Sequence, residues 1–367
     1  MISFSMPVRV FFGENAVAEN SAVFERFSGK KAFIVTGARS AKESGALRDV
    51  SAALSKHAIE YEVWSDVVPN PGVELVYRGA KEARKCGAAF VIGIGGGSAM
   101  DAAKVIALLA VNPIPKAAIF AGSPEPKALP VIQIPTTSGT GSEVTPNSVL
   151  SNDTDMTKTS VASPAMFADT AFVDPRYTVT MDRKTTIDTA VDAMTHAVEG
   201  MMSKRAGRLT DALAAETIGC FVSAEPALLG EEEISMKERS SLLYASTVAG
   251  MVIAQTGTVG VHAMGYQLTY HRSVPHGRAN GFILTDYLAA VEKHDPVIVS
   301  TILEELGLED LCELRTLMDR LLGPRPAVSD FEIEGFAKRA AAAPGMRNGA
   351  VVLTESEIRS VYRRSLA

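Results

Sequence analysis

The stretch Phe90–Lys104 reads FVIGIGGGSAMDAAK, an apolar run that ends in three consecutive glycines and a serine. Such a run, followed by glycines and then by helix-forming residues, predicts a buried strand, a tight turn and a helix. Glycines let the backbone approach an anion, and a helix N-terminus offers free N–H groups to a phosphate. Ser98 is expected to cap the helix, with Asp101 three residues further on. The stretch predicts a phosphate-binding turn, although an ordinary strand–helix turn would look the same and Ser98 breaks the dinucleotide fingerprint GxGxxG.

Two more apolar runs occur in the first half of the chain. Lys31–Thr36 ends at Gly37, and Val131–Ile134 precedes Pro135. Helical patterns such as Val73–Lys85 lie between these runs. Alternating strands and helices of this kind indicate a mainly parallel sheet with helices on both faces.

The second half of the chain changes character near residue 180, where strand signals nearly vanish. Nine helical segments are predicted between Thr185 and Leu366. We therefore expect two domains, an α/β domain over residues 1–180 and an all-helical domain over residues 181–367, with no flexible linker between them.

Charge and cysteine content exclude several classes of protein. The 367-residue chain carries 36 basic and 42 acidic residues, and this net charge of −6 argues against a nucleic-acid or anionic-membrane partner. Its three cysteines lie far apart, which excludes a disulfide framework and a cysteine-rich zinc site. The first residues have no signal-peptide pattern, so we expect a cytoplasmic protein. Ser240–His271 contains no Lys, Arg, Asp or Glu, but polar residues interrupt it and favour a protein interior over a membrane span.

A second glycine-bearing stretch, here called the polar loop, follows the run at Val131. Pro135–Asn147 reads PTTSGTGSEVTPN and places five hydroxyl side chains and two glycines between Thr136 and Glu143. Hydroxyls both donate and accept hydrogen bonds, so this loop could line a polar ligand. A plain loop is the alternative.

The predicted helix Thr185–Lys204 carries its polar side chains on one stripe. Asp188, Asp192, His196 and Glu199 lie within about 80° of each other around the helix, and most of the remaining surface is apolar or small. Such a helix should be buried, and buried charges need partners or a metal. Asp192 and His196 are one turn apart and suit two ligands of one ion. A core carboxylate–imidazole pair, or a stripe that faces a water-filled cleft, are the alternatives.

Two further histidines lie in apolar surroundings. His262 is inside Ser240–His271, and His276 follows Pro275, which should start a helix or turn. Together with Asp192 and His196 they make a plausible set of four metal ligands. Hydrogen-bonded core histidines would be the simpler interpretation.

These stretches together resemble the iron-containing (group III) alcohol dehydrogenase family. The pieces GGGSAMDAAK, PTTSGTGSEVTPNS, DAMTHAVEG and HAMGYQL…VPHGRANG occur in the family's order and spacing. The resemblance implies a nucleotide-binding α/β domain and an all-helical metal domain, with the active site in the cleft between them. It implies hydride transfer between a small primary alcohol or its aldehyde and NAD(P)(H), assisted by Fe²⁺ or another divalent ion such as Zn²⁺. It also implies a homodimer or a higher homo-oligomer.

The resemblance assigns roles to individual positions. The metal ligands fall on Asp192, His196, His262 and His276. The nicotinamide or substrate end of the cleft falls on Asn70 and Asn147. The cofactor positions, to which we add Asp101, are Gly95, Gly96, Gly97, Ser98, Thr136, Thr137, Thr140, Ser142 and Lys158.

One departure from the family pattern concerns the proton relay. Many relatives have a histidine four residues after the third ligand, where this chain has Tyr266. We assign Tyr266 to the substrate and keep His271 as the candidate catalytic residue, because it is close enough in sequence to reach the same cleft.

A second departure concerns the choice of cofactor. NAD-preferring relatives often have an aspartate at the turn after the first strand, where this chain has Gly37. Arg39, Ser40 and Lys42 follow. Without the acid, this turn should admit the 2′-phosphate of NADP. We therefore assign Gly37 and Ser40 to the cofactor and expect NADP(H) to be preferred.

Three other functions are compatible with parts of this pattern. They are a polyol oxidoreductase similar to glycerol dehydrogenase, a lyase similar to dehydroquinate synthase, and a nucleotide-binding sensor without catalysis. The lyase uses a glutamate where this chain has Asp192. A sensor has no need for four metal ligands, so the complete ligand set argues against that alternative.

Overall fold

The computed structural model describes residues 4–121 and 127–366. Contacts within the chain divide it into two compact units. Residues 5–181 form the N-terminal unit, and residues 182–366 with Phe4 form the helical unit.

The N-terminal unit contains a six-stranded sheet and a separate two-stranded hairpin. The strands are β1 (Arg9–Phe12), β2 (Lys31–Gly37), β3 (Glu60–Val67), β4 (Phe90–Gly95), β5 (Val131–Pro135), β6 (Asn147–Asn152), β7 (Thr157–Ala162) and β8 (Thr170–Val173). The sheet order is β1-β8-β5-β4-β2-β3, while β6 and β7 form the antiparallel hairpin. Every neighbouring pair of the sheet is parallel, so the predicted parallel sheet is confirmed.

Most strands that the sequence analysis missed are less buried than those that it found, although β8 was missed and is fully buried. β2, β4 and β5 are the continuous apolar runs, and they are buried along almost their whole length. β3 was missed because it is a largely exposed edge strand with acidic residues in its sequence. The hairpin was missed because β6 and β7 are rich in polar residues, which resemble a loop.

The helices of the N-terminal unit are α1 (Ala16–Glu19), α2 (Ser40–Glu43), α3 (Ala46–Lys56), α4 (Val73–Lys85) and α5 (Gly97–Val111). The predicted serine cap of α5 is wrong. α5 begins at Gly97, its N-cap is Gly96, and no side chain caps it. Ser98 is the second residue of the helix, and its Oγ instead accepts a hydrogen bond from Asn70 N at 3.2 Å.

The helical unit consists of ten α-helices within the residues that the structure describes. They are α6 (Arg183–Met201), α7 (Arg208–Leu229), α8 (Met236–Thr256), α9 (Gly260–Arg272), α10 (His276–Val291), α11 (Pro296–Leu306), α12 (Leu311–Leu322), α13 (Asp330–Ala342), α14 (Pro344–Asn348) and α15 (Glu355–Ser365). Nine correspond to the predicted segments, and α14 was missed because it has only five residues. α10 begins directly after Pro275, as that proline suggests.

Helix α7 is long and apolar enough to cross a membrane, and α8 with α9 passes the same test although the two are bent by 112°. In the structure, apolar side chains of α7 such as Ile218 and Phe221 lie in the hydrophobic core of the helical unit. Core helices commonly have this composition, so these segments are weak evidence for a membrane span.

Lys104 lies in the middle of α5 and is fully buried. Its Nζ donates to Ser142 O at 3.0 Å and to Thr145 O at 3.3 Å, and lies 3.2 Å from Asp101 Oδ1. Burial lowers the pKa of Lys104, and the negative charge of Asp101 acts in the opposite direction. One buried ammonium group therefore ties the polar loop to α5.

Replacing Lys104 with Met should lower the free energy of unfolding of the N-terminal unit by about 3 kcal/mol, because Asp101 loses its buried cation and two carbonyls lose a donor. Lys116→Met removes an exposed ion pair with Glu74 and a contact of the ammonium group with the Tyr77 ring, and it should cost about 1 kcal/mol. Denaturant unfolding followed by Trp64 fluorescence measures both variants, since the single tryptophan of the chain lies in β3. Equal unfolding midpoints for the two variants would contradict this role of Lys104.

Candidate functional site

The predicted phosphate-binding turn lies at the start of α5 and is packed against the polar loop. A Cβ atom on Gly96 would lie 3.0 Å from Thr137 Oγ1, and one on Gly97 would lie 2.7 Å from Thr140 Cγ2. Gly95 has a φ angle of 151°, which residues with a side chain rarely adopt. The two stretches that the sequence analysis singled out therefore form one continuous surface.

Two hydroxyl groups of the polar loop are buried without a hydrogen-bond partner. Thr136 and Ser138 are 3% and 1% exposed, and neither side-chain oxygen has a partner among the described residues. Buried hydroxyls are normally hydrogen-bonded, so this pair points to a missing polar ligand. Thr136 N also donates to Gly95 O at 2.9 Å, which places this part of the loop beside the turn. Together with the uncapped N-terminus of α5, these groups fit a bound phosphate.

Asn70 links positions from two different predicted sets. Its backbone is left-handed, with φ 55°, and its Oδ1 accepts a hydrogen bond from Lys158 Nζ at 3.0 Å. Asn70 N donates to Ser98 Oγ, and Ser151 Oγ on β6 donates to Asn70 O at 2.9 Å. The structure thus brings Asn70, predicted at the substrate end, together with the predicted cofactor positions Ser98 and Lys158.

Asp101 and Ser142 bind each other. Ser142 Oγ donates to Asp101 Oδ1 at 2.5 Å, and Val149 N donates to Asp101 Oδ2 at 2.8 Å. These two side chains therefore join α5, the polar loop and β6. Asn147, predicted at the substrate end, is the half-buried first residue of β6 and pairs with Ala162.

Gly37 is the last residue of β2 and Ser40 the first residue of α2, and both lie next to the glycine turn. A Cβ atom on Gly95 would lie 3.7 Å from Ser40 Oγ, so the turns after β2 and β4 are neighbours. A Cβ atom on Gly37 would lie 3.4 Å from Val67 O and 4.0 Å from Ser40 Oγ, so a Cβ atom fits there in ordinary contact.

Four predicted metal ligands meet in the helical unit. One ligand atom from each of Asp192, His196 and His262 lies within 4.8 Å of the others, and all three residues are buried. His276 completes the set, since its Nε2 lies 3.7 Å from Asp192 Oδ1, the same distance as His262 Nε2. The His276 side chain is 21% exposed, so a small molecule can reach it. One carboxylate and three imidazoles suit Fe²⁺, Zn²⁺ and related divalent ions, and the residues present therefore fit the metal that the sequence implies.

Three helices carry these four ligands. Asp182 caps α6, on which Asp192 and His196 are one turn apart. His262 is the third residue of α9, and His276 is the first residue of α10. Asp192 and His196 therefore lie in the middle of a long helix, while His262 and His276 lie in the first turns of two others.

Two glycines allow these helices to approach closely. A Cβ atom on Gly277 would lie 1.8 Å from Asp188 O and 2.8 Å from Asp192 Cβ, so only glycine fits between α10 and α6. A Cβ atom on Gly265 would lie 2.0 Å from Asn280 Oδ1. Glycine is therefore also needed where α9 packs against α10.

Asn280 is a residue of this cluster that the sequence analysis missed. Its Nδ2 donates to Asp192 Oδ1 at 2.9 Å and lies 3.1 Å from His262 Nε2 and 3.4 Å from His276 Nε2. The side chain is fully buried. A signal was present in the sequence, since Asn280 is a polar residue one helical turn after His276.

The whole polar stripe of α6 is buried, as predicted, with each member 6% exposed or less. Asp188 accepts a hydrogen bond from Arg278 Nε at 2.8 Å. Burial raises the pKa of Asp188, and the guanidinium of Arg278 acts in the opposite direction. Glu199 contacts His262 and the start of α9. The stripe therefore does not face bulk solvent.

The structure brings Tyr266 to the cluster but not His271. The Tyr266 ring stacks on the His276 ring, with centroids 5.2 Å apart. His271 lies nine residues after His262 on α9, about 13.5 Å further along the helix. Its ring stacks on Phe336 of α13 at 5.1 Å. The expectation that closeness in sequence would place His271 at the same site fails because a helix carries the two residues apart.

Family models match both parts of the chain. The model described as iron-containing alcohol dehydrogenase matches residues 7–175. The model described as the C-terminal part of the Fe-containing alcohol dehydrogenase family matches residues 186–366.

Individual relatives agree with these matches. The sulfoacetaldehyde reductase of Bilophila wadsworthia is 33% identical over 330 residues, which cover 88% of this chain and 83% of the relative. The 1-propanol dehydrogenase PduQ of Salmonella typhimurium is 33% identical over 78% of this chain and 72% of its own length. The crystal structure of an iron-containing alcohol dehydrogenase from Thermotoga maritima has a TM-score of 0.92 and 35% identity, and covers 100% of this chain and 99% of that chain.

Replacing Gly277 with Ala should weaken the retention of a divalent ion by about 10- to 100-fold, because α10 must move away from α6 and carry His276 with it. Gly219→Ala on α7 is the matched control, since a Cβ atom there would have nothing within 4 Å. Competition with a zinc chelator measures the affinity of both variants. Unchanged affinity in Gly277→Ala would contradict the close approach of α10 as the basis of the site.

Proposed function

Because the chain belongs to the iron-containing alcohol dehydrogenase family, we propose that it transfers a hydride between a small primary alcohol or its aldehyde and NAD(P)(H). The chain is an enzyme, and the observation that carries this proposal is the convergence of Asp192, His196, His262 and His276 from three helices. In the oxidative direction the alcohol carbon gives a hydride to nicotinamide C4, and the hydroxyl proton passes to solvent. The reduction of the aldehyde is the reverse.

Asp192 and the three histidines would hold the divalent ion. When bound, the ion acts as a Lewis acid that lowers the pKa of the alcohol and polarises the aldehyde carbonyl. Fe²⁺ is the ion that the family name implies, while Zn²⁺ binds such donors more tightly, so occupancy depends on supply. Asn280 orients the Asp192 carboxylate through its 2.9 Å hydrogen bond.

The substrate would contact Tyr266 beside His276, the most exposed of the four ligands. Tyr266 presents an aromatic ring there, where many relatives have a histidine. Alcohols and aldehydes with short carbon chains suit such a surface, because the ring offers apolar contact and the hydroxyl a hydrogen bond.

The N-terminal unit would bind the nicotinamide dinucleotide. Support comes from the Gly95–Ser98 turn, the uncapped start of α5 and the two buried hydroxyls of Thr136 and Ser138. Asn70 and Lys158 lie beside Ser98 and add one amide and one ammonium group.

The cofactor would be NADP(H) in preference to NAD(H). Gly37 ends β2 without an acidic side chain, and Arg39 and Lys42 just beyond it are exposed. Two exposed cations and Ser40 suit a 2′-phosphate, whereas an aspartate at Gly37 would repel it.

The chain would act as a cytoplasmic homodimer or higher homo-oligomer. β1 stands at an edge of the sheet, where its outer backbone groups can pair with a second copy. The three cysteines of the chain are free thiols, which suits a reducing compartment.

We expect the metal-loaded chain to oxidise NADPH in the presence of short aldehydes. His262→Ala should lose bound metal and about 10³-fold or more in kcat/KM, since a Lewis acid supplies several kcal/mol. His294→Ala is the matched control, because His294 is a half-exposed histidine that pairs with Glu357. Full activity of a metal-free His262→Ala would contradict the ligand assignment. No turnover by the metal-loaded parent with a broad aldehyde panel would instead favour a sensor.

Gly37→Asp should shift the ratio of kcat/KM for NADPH over NADH toward NADH by about tenfold or more, because the new carboxylate repels the 2′-phosphate and accepts hydrogen bonds from the ribose hydroxyls. Ala52→Asp adds the same charge on an exposed position of α3 and should leave the ratio unchanged. A parent enzyme that clearly prefers NADH would overturn the cofactor assignment.

A further inference from the structure

We propose that Glu199 is a positioning residue that keeps the ring proton of His262 on Nδ1, so that Nε2, which faces the other metal ligands, is left as the metal-binding nitrogen. This proposal rests on the proposed metal centre and adds a residue to it. Glu199 is not itself placed among the ligands, since its carboxylate lies on the far side of the His262 ring from Asp192.

The Glu199 carboxylate is completely buried, and both of its oxygens have partners. Oε1 accepts hydrogen bonds from Val259 N and His262 N, each at 3.1 Å. Oε2 contacts His262 Nδ1. The two backbone groups can only donate, so Oε1 is fixed as an acceptor.

Glu199 also substitutes for a missing cap of α9. Val259 is the N-cap of this helix, and no side chain of its own caps it. Oε1 of Glu199 instead receives the N–H groups of Val259 and of His262, the third residue of α9. A negative group at a helix N-terminus is also favoured by the helix dipole. The Glu199 carboxylate therefore caps the start of α9 and also contacts the imidazole ring of His262 in the first turn of that helix.

The consequence for His262 follows from the chemistry of a neutral imidazole, which has one N–H and one lone pair. A carboxylate oxygen facing Nδ1 favours the proton on Nδ1, so the lone pair is left on Nε2. Nε2 is the atom that lies 3.7 Å from Asp192 Oδ1 and beside the amide of Asn280. The contact with Glu199 therefore prepares the nitrogen that faces the cluster to bind a cation.

Glu199→Gln separates this role from that of the helix cap. The amide oxygen of Gln can still accept from Val259 N and His262 N, and its NH₂ group then faces His262 Nδ1. Nδ1 must become the acceptor, and the proton moves to Nε2, where it opposes metal binding. We expect the variant to bind Zn²⁺ about 10- to 100-fold more weakly than the parent while it keeps its helical content.

The matched control is Asp286→Asn. Asp286 is a buried carboxylate on α10 that interacts with Arg315 and Ser365 and not with the four ligands. This change should lower thermal stability but leave Zn²⁺ affinity as in the parent. Chelator competition on the full-length chain measures affinity, and circular dichroism checks the fold. Equal Zn²⁺ affinity in Glu199→Gln and the parent would overturn the proposal.

A second measurement needs no variant. The chain has six histidines, so selective ¹⁵N-histidine labelling gives few signals, and Glu199→Gln or His262→Ala assigns those of His262. We expect Nδ1 of His262 to be protonated in the parent without metal and with Zn²⁺, and Zn²⁺ to shift only Nε2. A proton on Nε2 in the metal-free chain, or Zn²⁺ on Nδ1, would overturn the proposal. A parent that binds no Zn²⁺ would count against the metal centre, while the metal-free spectrum would still decide the role of Glu199.

Discussion

Charge buried on α6 is the constraint on which the helical unit depends. Asp192 and Glu199 are 3% and 0% exposed, and an unpaired buried carboxylate costs several kcal/mol. Each therefore needs donors from neighbouring helices: the amide of Asn280 for Asp192, and two backbone N–H groups with an imidazole for Glu199. The donor on α10 depends on the close approach of α10 to α6, and the histidine on α9 on the close approach of α9 to Asn280. Gly277 and Gly265 provide that approach, so the packing of three helices and the geometry of the ligands have the same cause.

Helix N-termini organise the chemistry in both units. In the N-terminal unit, α5 starts without a side-chain cap directly after a glycine turn, which leaves its N–H groups to an anion. Lys104, further along the same helix, donates hydrogen bonds to two carbonyls of the polar loop and so holds the loop against this turn. In the helical unit, the starts of α9 and α10 carry His262 and His276. The proposed function would draw on both units, on the start of α5 for the nucleotide and on the starts of α9 and α10 for the cation.

The periodicity of the sequence predicted features that are set within one helix or strand. It did not predict contacts that depend on how several elements pack. The apolar runs at β2, β4 and β5 and the polar stripe of α6 were readable because burial acts on every residue of the element. Ser98 was wrongly expected to cap α5, because the glycine turn lets the helix begin one residue earlier, at Gly97, and the Ser98 hydroxyl then binds Asn70 N. His271 was kept as a candidate because it is close to His262 in sequence. Both residues lie on α9, and the helix separates them by about 13.5 Å along its axis. Asn280 and Lys104 were missed because their partners come from segments distant in sequence. The family pattern added the ligand set, which spacing alone left open.

X-ray absorption spectroscopy of the zinc-loaded full-length chain, with metal content determined on the same sample, tests the metal assignment most directly. The geometry of Asp192, His196, His262 and His276 predicts one ion per chain, bound by oxygen and nitrogen only, with outer scattering from three imidazoles. A sulfur ligand, or scattering from fewer than three imidazoles, would contradict the assignment.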